Sequence, residues 1–147
     1  MESLGPFMPW CHPGLAFDDQ RAWVESKVKA FEDRREFEFL ISSADGRYLG
    51  GCGLGQIDKV NQRANLGYWV RSAAQGKGAA TAATRLLVTW GFENTDLQRL
   101  EVIVSTRNHP SLRVAEKSGA SREGVLKNRL LLRGEWHDAA IYSFVRG

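Results

Sequence analysis

Two changes of hydrophobic period between residues 63 and 104 constrain this chain more than any other feature. Over residues 63–70 every second residue is apolar, with Leu66, Tyr68 and Val70 on one side, the signature of a strand. From Lys77 to Asn94, Ala79, Ala83, Leu86, Leu87 and Trp90 recur at helical spacing. A helix of that length runs about 27 Å. Residues 100–104 then form a short apolar strand containing Glu101. Strand, long helix, strand implies a parallel pair joined by a right-handed crossover.

The flanking segments read differently. Phe37, Phe39 and Ile41 alternate with Glu36, Glu38 and Leu40, and Asp45-Gly46 is a hairpin turn signal leading to a glycine-rich strand over residues 48–57. Asn61-Gln62 turns the chain into the strand at 63–70. Pro110 suits the first turn of a second helix capped near Asn108 or His109, and Gly119 its stop. Strands over residues 120–132 and 136–145 follow, joined at residues 133–135. Asp18 and Asp19 can cap an earlier helix over residues 20–31, after an irregular segment holding Pro6, Pro9 and Pro13. The expected order is α-β-β-β-α-β-α-β-β. The fold class is α/β (α+β mixed): a mostly antiparallel mixed sheet with a central parallel β-α-β pair, flanked by helices.

With 147 residues, 43% apolar and 25% charged, the chain supports one domain over residues 1–147. Residues 1–35 are its irregular or helical N-terminal part, and 36–147 its core sheet. No apolar run reaches the ~20 residues a spanning helix requires. The N-terminus lacks the basic residues of a secretory signal. Two cysteines are too few for a disulfide scaffold, and no His/Cys/Asp/Glu spacing suggests a metal. A cytoplasmic location, with no membrane and no metal, is the expectation. Residues 105–135 carry seven Lys/Arg against three Glu. That bias suits either an anionic ligand or a solvated face, and lacks the dense basic stripe or aromatic signature of a nucleic-acid binder.

The stretch richest in chemistry is Gln75-Gly76-Lys77-Gly78-Ala79-Ala80, between a strand and the long helix. Glycines permit a tight path, and the first free amides of a helix, with its dipole, form an anion site suited to phosphates. An ordinary turn into a helix is the alternative. A Walker loop is excluded, because no glycine stands at the required upstream position and Gly78 follows Lys77. A dinucleotide fingerprint is excluded too. Gly51, Gly53 and Gly55 alternate along a strand with no helix after them, which suggests a bulge or a close backbone approach.

The residues at 75–80 resemble the Q/R-x-x-G-x-G/A signature of the GCN5-related N-acetyltransferase (GNAT) superfamily. Asn108-His109-Pro110-Ser111 with Lys117-Ser118-Gly119 resembles the N-x-x-S…K-x-G block of its RimJ/RimL-like branch, which acetylates ribosomal-protein N-termini. Leu66-Gly67-Tyr68-Trp69-Val70, Arg122-Glu123-Gly124 and Gly134-Glu135-Trp136-His137-Asp138 also fit that branch. The resemblance spans residues 37–145. Ala120 stands where the family usually has phenylalanine. Family members usually have a strand and helix ahead of the region matching Met8-Pro9-Trp10, so the family's first strand and part of the acceptor wall are expected to be absent here or supplied otherwise.

The resemblance implies acetyl-CoA as co-substrate and an amine acceptor, either a protein N-terminus or a small molecule. The backbone of Val70 and Arg71 would pair with the pantetheine arm. The amides of Gln75, Gly76, Lys77, Gly78, Ala79 and Ala80 would hold the pyrophosphate. Asn108 and Ser111 would reach the thioester end, in the gap where the two parallel strands splay. A helix cap is the alternative for Asn108. A non-catalytic module of the same fold, binding CoA or a protein partner, is the rival function.

Acetyl transfer requires a base for the amine and a proton for the departing thiolate. The family implies direct attack on the thioester. The covalent rival would use Cys52, which otherwise packs as a small core residue. Glu101 is the candidate base, since a carboxylate inside a short central strand is costly unless paired or functional. An ion pair is its alternative. Ser111 is the candidate proton donor. Asp138 is a second base candidate, Tyr142 an acid or a core phenol, and His12 and His137 surface or structural residues. Trp10 and Trp23 are expected to border the acceptor pocket or a contact in a homodimer.

Overall fold

The structure, a computed structural model, describes residues 3–6, 29–71, 76 and 78–147. Its strands are β1 (Ser3–Pro6), β2 (Phe37–Ser42), β3 (Tyr48–Asp58), β4 (Arg63–Val70), β5 (Arg99–Ser105), β6 (Ser121–Leu132) and β7 (Glu135–Val145). The helices are α1 (Ala79–Asn94) and α2 (His109–Lys117), with residues 29–32 also helical. One sheet runs in the order β1-β2-β3-β4-β5-β7-β6. Every neighbouring pair is antiparallel except β4–β5. The mixed sheet with its central parallel pair is therefore as the periodicity predicted.

The N-terminus departs from expectation. Ser3–Pro6, read as irregular, pairs antiparallel with β2 from Ser3↔Ser42 to Pro6↔Phe39 and forms the sheet's outer strand. Proline is tolerated on an edge strand, and a four-residue strand is too short to show a period. A strand therefore precedes the Met8-Pro9-Trp10 region and covers the edge of β2. Trp10, Cys11, His12, Trp23 and most of the helix expected over residues 20–31 lie outside the described residues.

The core lies between one sheet face and the helices. Phe37, Phe39, Leu54, Leu66, Leu100, Val102 and Tyr142 from the strands meet Ala83 and Leu87 of α1 and Ala115 of α2. Phe31 stacks edge-on against Phe37 and Phe39 at 5.1 and 5.4 Å, and Trp90 of α1 completes the cluster at 5.1 and 4.9 Å from the same rings. Such pairs contribute about 0.5–1.5 kcal/mol each beyond the area they bury. Gly91 explains how closely α1 seats: a Cβ there would stand 3.0 Å from Leu54 Cδ1. Gly50 permits a tight strand approach, since a Cβ would lie 2.1 Å from the Trp69 carbonyl oxygen. The expected irregularity also exists, a register shift between Gly55 and Asp58. The C-terminal end of α1 has no basic residue of its own. Arg146 supplies the charge from β7's far end, donating to the carbonyls of Phe92, Thr95 and Leu97 at 2.7–3.0 Å.

Candidate active site

The parallel ladder between β4 and β5 holds three residue pairs, Arg63↔Arg99, Ala64↔Leu100 and Asn65↔Glu101. Beyond them β4 stays paired with β3 and β5 with β7, but no longer with each other. The strands therefore part over residues 66–70 and 102–105, on the side where α1 and α2 begin. A cavity of about 880 Å³ occupies this opening, large for a small-molecule site. Tyr68, Trp69 and Val70 form one wall, Gly76 and residues 78–82 another, and Asn108, Pro110, Ser111 and Val114 the third.

Gly76, Gly78, Ala79 and Ala80 of the glycine-rich motif line the cavity, while Gln75 and Lys77 lie outside the described residues. Gly78 is the N-cap of α1 at φ +79°, a conformation that favours glycine. The first helical bond runs from the Ala82 N–H to the Gly78 carbonyl at 3.0 Å. The amides of residues 79–81 therefore start the helix without an intrahelical acceptor, and no acidic side chain occupies the first turn. Arg85, Arg113 and Lys117 add positive charge to the lining. The basic bias of residues 105–135 thus divides, with Arg113 and Lys117 on the cavity and Lys127, Arg129 and Arg133 on the β6–β7 hairpin.

Val70 lines the cavity; Arg71 does not. The Arg71 N–H already donates to the Leu49 carbonyl at 2.8 Å, and its guanidinium donates to the Tyr48 carbonyl at 3.1 Å. The N–H and guanidinium of Arg71 are thus turned to β3. Asn108 is a helix cap that also lines the cavity. Its Oδ1 accepts the Ser111 N–H at 3.2 Å as the cap of α2, and the residue also faces the cavity.

Ser111 and Tyr68 form a hydroxyl pair on the cavity wall. The Tyr68 phenol donates to the Ser111 carbonyl at 2.8 Å, and Ser111 Oγ donates to the phenol oxygen at 3.2 Å. Burial pushes the Tyr68 phenol up, outweighing the opposing effect of the Ser111 hydrogen bond, so it keeps its proton at neutral pH. The sequence reading missed Tyr68 as a functional residue, although alternation places it on Val70's side of β4. Arg85 was missed as well. Its signal was the seven-residue step from Gly78, two helical turns along the same face.

The structure does not bring Glu101 to this cavity. It sits where the β4–β5 ladder is still closed, on the opposite sheet face. Its carboxylate pairs with Arg99 Nε at 2.7 Å and Arg63 Nη1 at 3.5 Å. Arg99 in turn holds Glu123, which also accepts from Ser143 Oγ at 2.8 Å. The ion-pair alternative for Glu101 is what the geometry displays. Asp138 Oδ1 accepts the Asn128 N–H at 2.9 Å, and Tyr142 is a core phenol donating to Glu116 at 2.9 Å. Cys52 is buried in the core. His137 is hydrogen-bonded, its Nδ1 lying 2.7 Å from Ser105 Oγ.

An opened parallel pair, a glycine-led helix start and an Asn-x-x-Ser cap around one cavity define a class of protein. The chain matches the acetyltransferase (GNAT) domain over residues 2–121 and belongs to that family. It is 36% identical over 102 residues to the putative ribosomal N-acetyltransferase YdaF of Bacillus subtilis (strain 168), covering 69% of this chain and 56% of that protein. It is 30% identical over 130 residues to the spermidine N(1)-acetyltransferase of Escherichia coli (strain K12), covering 81% and 69% respectively. The chain thus spans little more than half the length of the first of these relatives. The solved structure of a probable acetyltransferase superposes with a TM-score of 0.82 at 30% identity, covering 92% of this chain and 74% of that one. The microcin C7 self-immunity acetyltransferase MccE, solved in complex with acetyl-CoA and AMP, superposes at 0.79 with 26% identity, covering 90% and 73%. Among the described residues no helix is long and apolar enough to cross a membrane.

Proposed function

We propose that this chain is an N-acetyltransferase that moves the acetyl group of acetyl-CoA onto a primary amine by direct attack. The observation that carries this reading is the parting of β4 and β5 after Asn65 and Glu101, into a cavity bounded by Val70, the start of α1 and the Asn108 cap. The residues fit the co-substrate. The free amides of residues 79–81 and the charges of Arg85, Arg113 and Lys117 suit its phosphates. Val70 lines the wall along which an extended arm would run, and Ser111 is bonded to Tyr68 of β4 beside Asn108. Bound there, acetyl-CoA supplies an activated acyl group. The protein's own part is to align it and to protonate the leaving sulfur from Ser111, which Tyr68 holds in place. The names of the relatives support two acceptor classes, a protein N-terminus and a polyamine.

The reading places the enzyme in the cytoplasm with its acyl donor. It also includes self-association, supported by Leu126, Leu131, Leu132 and Trp136, all exposed on the β6–β7 hairpin at the sheet's edge. Amine-dependent release of free thiol from acetyl-CoA tests the activity, using peptides with a free α-amine and polyamines as acceptors. Tight acetyl-CoA binding without thiol release for any amine would favour the rival reading of a binding module.

A further inference from the structure

Charge is distributed unevenly around the cavity. Its lining holds Arg85, Arg113 and Lys117 and, among the described residues, no Asp or Glu. The three cations come from two helices and converge. Arg113 and Lys117 stand four residues apart on α2, on one face and one turn from each other. Arg85 of α1 reaches the same helix, its guanidinium donating to the Lys117 carbonyl. Glu116, the one acidic residue of α2, is engaged elsewhere and accepts from the Tyr142 phenol at 2.9 Å. Among the described residues the side chains of Arg113 and Lys117 make no hydrogen bond or ion pair.

Two of the three have local reasons for their place. Lys117 lies in the last turn of α2, where a cation meets the negative end of the helix dipole, and Arg85 occupies a carbonyl at that same end. Arg113 has no such reason. It is in the middle of α2, one turn from a like charge, and that arrangement costs stability until an anion offsets it. Position then narrows the anion. The free amides of residues 79–81 open α1, and Arg85 follows them at about 6–9 Å along the helix axis. The cavity therefore carries two separate sets of donors, a row of backbone N–H groups and, further along, two guanidinium groups with an ammonium. A ligand that fills both has two anionic parts, the more highly charged one against the side chains. CoA has that form. Its pyrophosphate bears one charge per phosphorus, whereas a phosphate monoester such as the one on its ribose carries about −1.5 to −2 at pH 7. Guanidinium groups grip such oxygens in pairs.

We propose that Arg85, Arg113 and Lys117 form a subsite for the ribose phosphate monoester of the co-substrate, separate from the amides that face its pyrophosphate, and that this subsite makes the chain select CoA thioesters over acyl donors lacking that group; this rests on the acetyl-transfer reading above. Dephospho-CoA and the phosphopantetheine arm of a carrier protein are such donors. The two sets of donors divide the work. The α1 amides hold a pyrophosphate whichever donor carries it, and the side chains recognise the donor. Arg85 also ties the end of α2 to α1, so the charges are gathered before the ligand arrives and little ordering is left for binding to offset.

The test is isothermal titration calorimetry of the intact chain with CoA and with dephospho-CoA at pH 7, beside Arg113→Gln, Lys117→Gln and the double variant. These two side chains hold no other element in place, so their loss leaves the fold intact, which the melting temperature checks. The unaltered chain should bind CoA at least about tenfold more tightly than dephospho-CoA, the scale of one or two charge-assisted hydrogen bonds. Each single variant should narrow that ratio several-fold, and the double variant should bring it to about one while dephospho-CoA affinity stays within about twofold. Added salt should narrow the ratio in the unaltered chain, because the recognising charges are exposed. Gly78→Glu should weaken both ligands together, since it touches the amides. Equal affinity of the unaltered chain for the two ligands would overturn the subsite. So would an equal loss of both in the double variant, which would assign the cations to the pyrophosphate. If CoA does not bind and no amine releases thiol from acetyl-CoA, the acetyl-transfer reading and the subsite fall together; if acetyl-CoA is turned over but CoA and dephospho-CoA bind alike, only the subsite falls.

Discussion

The two ends of β5 carry similar polar side chains and treat them in opposite ways. At the N-terminal end the strand is laddered to β4 through Arg99–Glu101, and the charges there close on one another: Arg63 and Arg99 on Glu101, Arg99 on Glu123. At the C-terminal end the ladder to β4 is absent, and Ser105 and Asn108 meet partners that face a cavity or a neighbouring imidazole. The difference teaches that a buried polar group in this fold takes its role from whether its strand is still paired. In the closed half, complete hydrogen bonding makes polar residues structural. In the open half, Tyr68, Val70 and Asn108 line a cavity instead.

The largest expected effect comes from loosening the closed end. Leu100 is fully buried where β4 and β5 are still paired, and Leu100→Ala should cost about 2–5 kcal/mol in urea unfolding. A loss below about 1 kcal/mol would mean that the closed end does not carry the packing described. The next effect lies at the cavity. Acetyl-CoA at a hundredfold excess over Kd should stabilise the chain by about 2.7 kcal/mol, read as a rise in Tm. Gly78→Glu should abolish that rise, because it sets a carboxylate on the phosphate amides and forces a non-glycine residue to φ +79°. An unchanged rise would remove residues 76–80 from the site.

At the open end, Ser111→Ala should lower kcat about tenfold with acetyl-CoA affinity unchanged, since water can also protonate a thiolate. Tyr68→Phe should act in the same direction and more weakly. Full activity in both would leave the reaction to positioning alone. The smallest effects belong to the paired charges. Glu101→Gln should cost about 1 kcal/mol of stability and leave kcat within about twofold, because Arg99 keeps Glu123 as partner. A tenfold fall in kcat would restore Glu101 as a base. Glu123 is held at about 2 by its bonds to Arg99 and Ser143, well below its ordinary 4.5. A carboxyl depressed in the folded state stabilises fully above pH 4.5 and loses that contribution as pH falls toward 2. Glu123→Gln should therefore flatten the acid limb of stability in that window, and an unaltered limb would refute the assignment.

Much of this was legible in the residues. The alternation over 63–70, the helical spacing after Gly78 and the Asn108–Pro110 cap each report on neighbours a few positions apart. The structure reproduces them as β4, α1 and α2 within one or two residues at each end. The glycine-led start of α1, with its first amides free of intrahelical bonds, was also legible, because it needs only a glycine turn and the helix behind it. Glu101 was legible as an expensive residue with an ion pair as its alternative, and Arg99 two positions off is its nearer partner, but Arg63, 38 positions away, was not legible. Tyr68 looked like one more apolar-side residue, and nothing in its spacing shows that it reaches Ser111, 43 positions on.

By itself the sequence determined the elements from β2 onward, their order, the parallel crossover and the glycine turn into α1, because these follow from periodicity, caps and glycine conformations within a few residues. Only the tertiary structure decided that Ser3–Pro6 joins the sheet, that Arg146 closes the C-terminal end of α1, and that Ser105 meets His137 across 32 residues. Those contacts depend on strand register and on where β4 and β5 cease to pair. Register is settled by the burial of a whole sheet face against α1 and α2, not by any one segment.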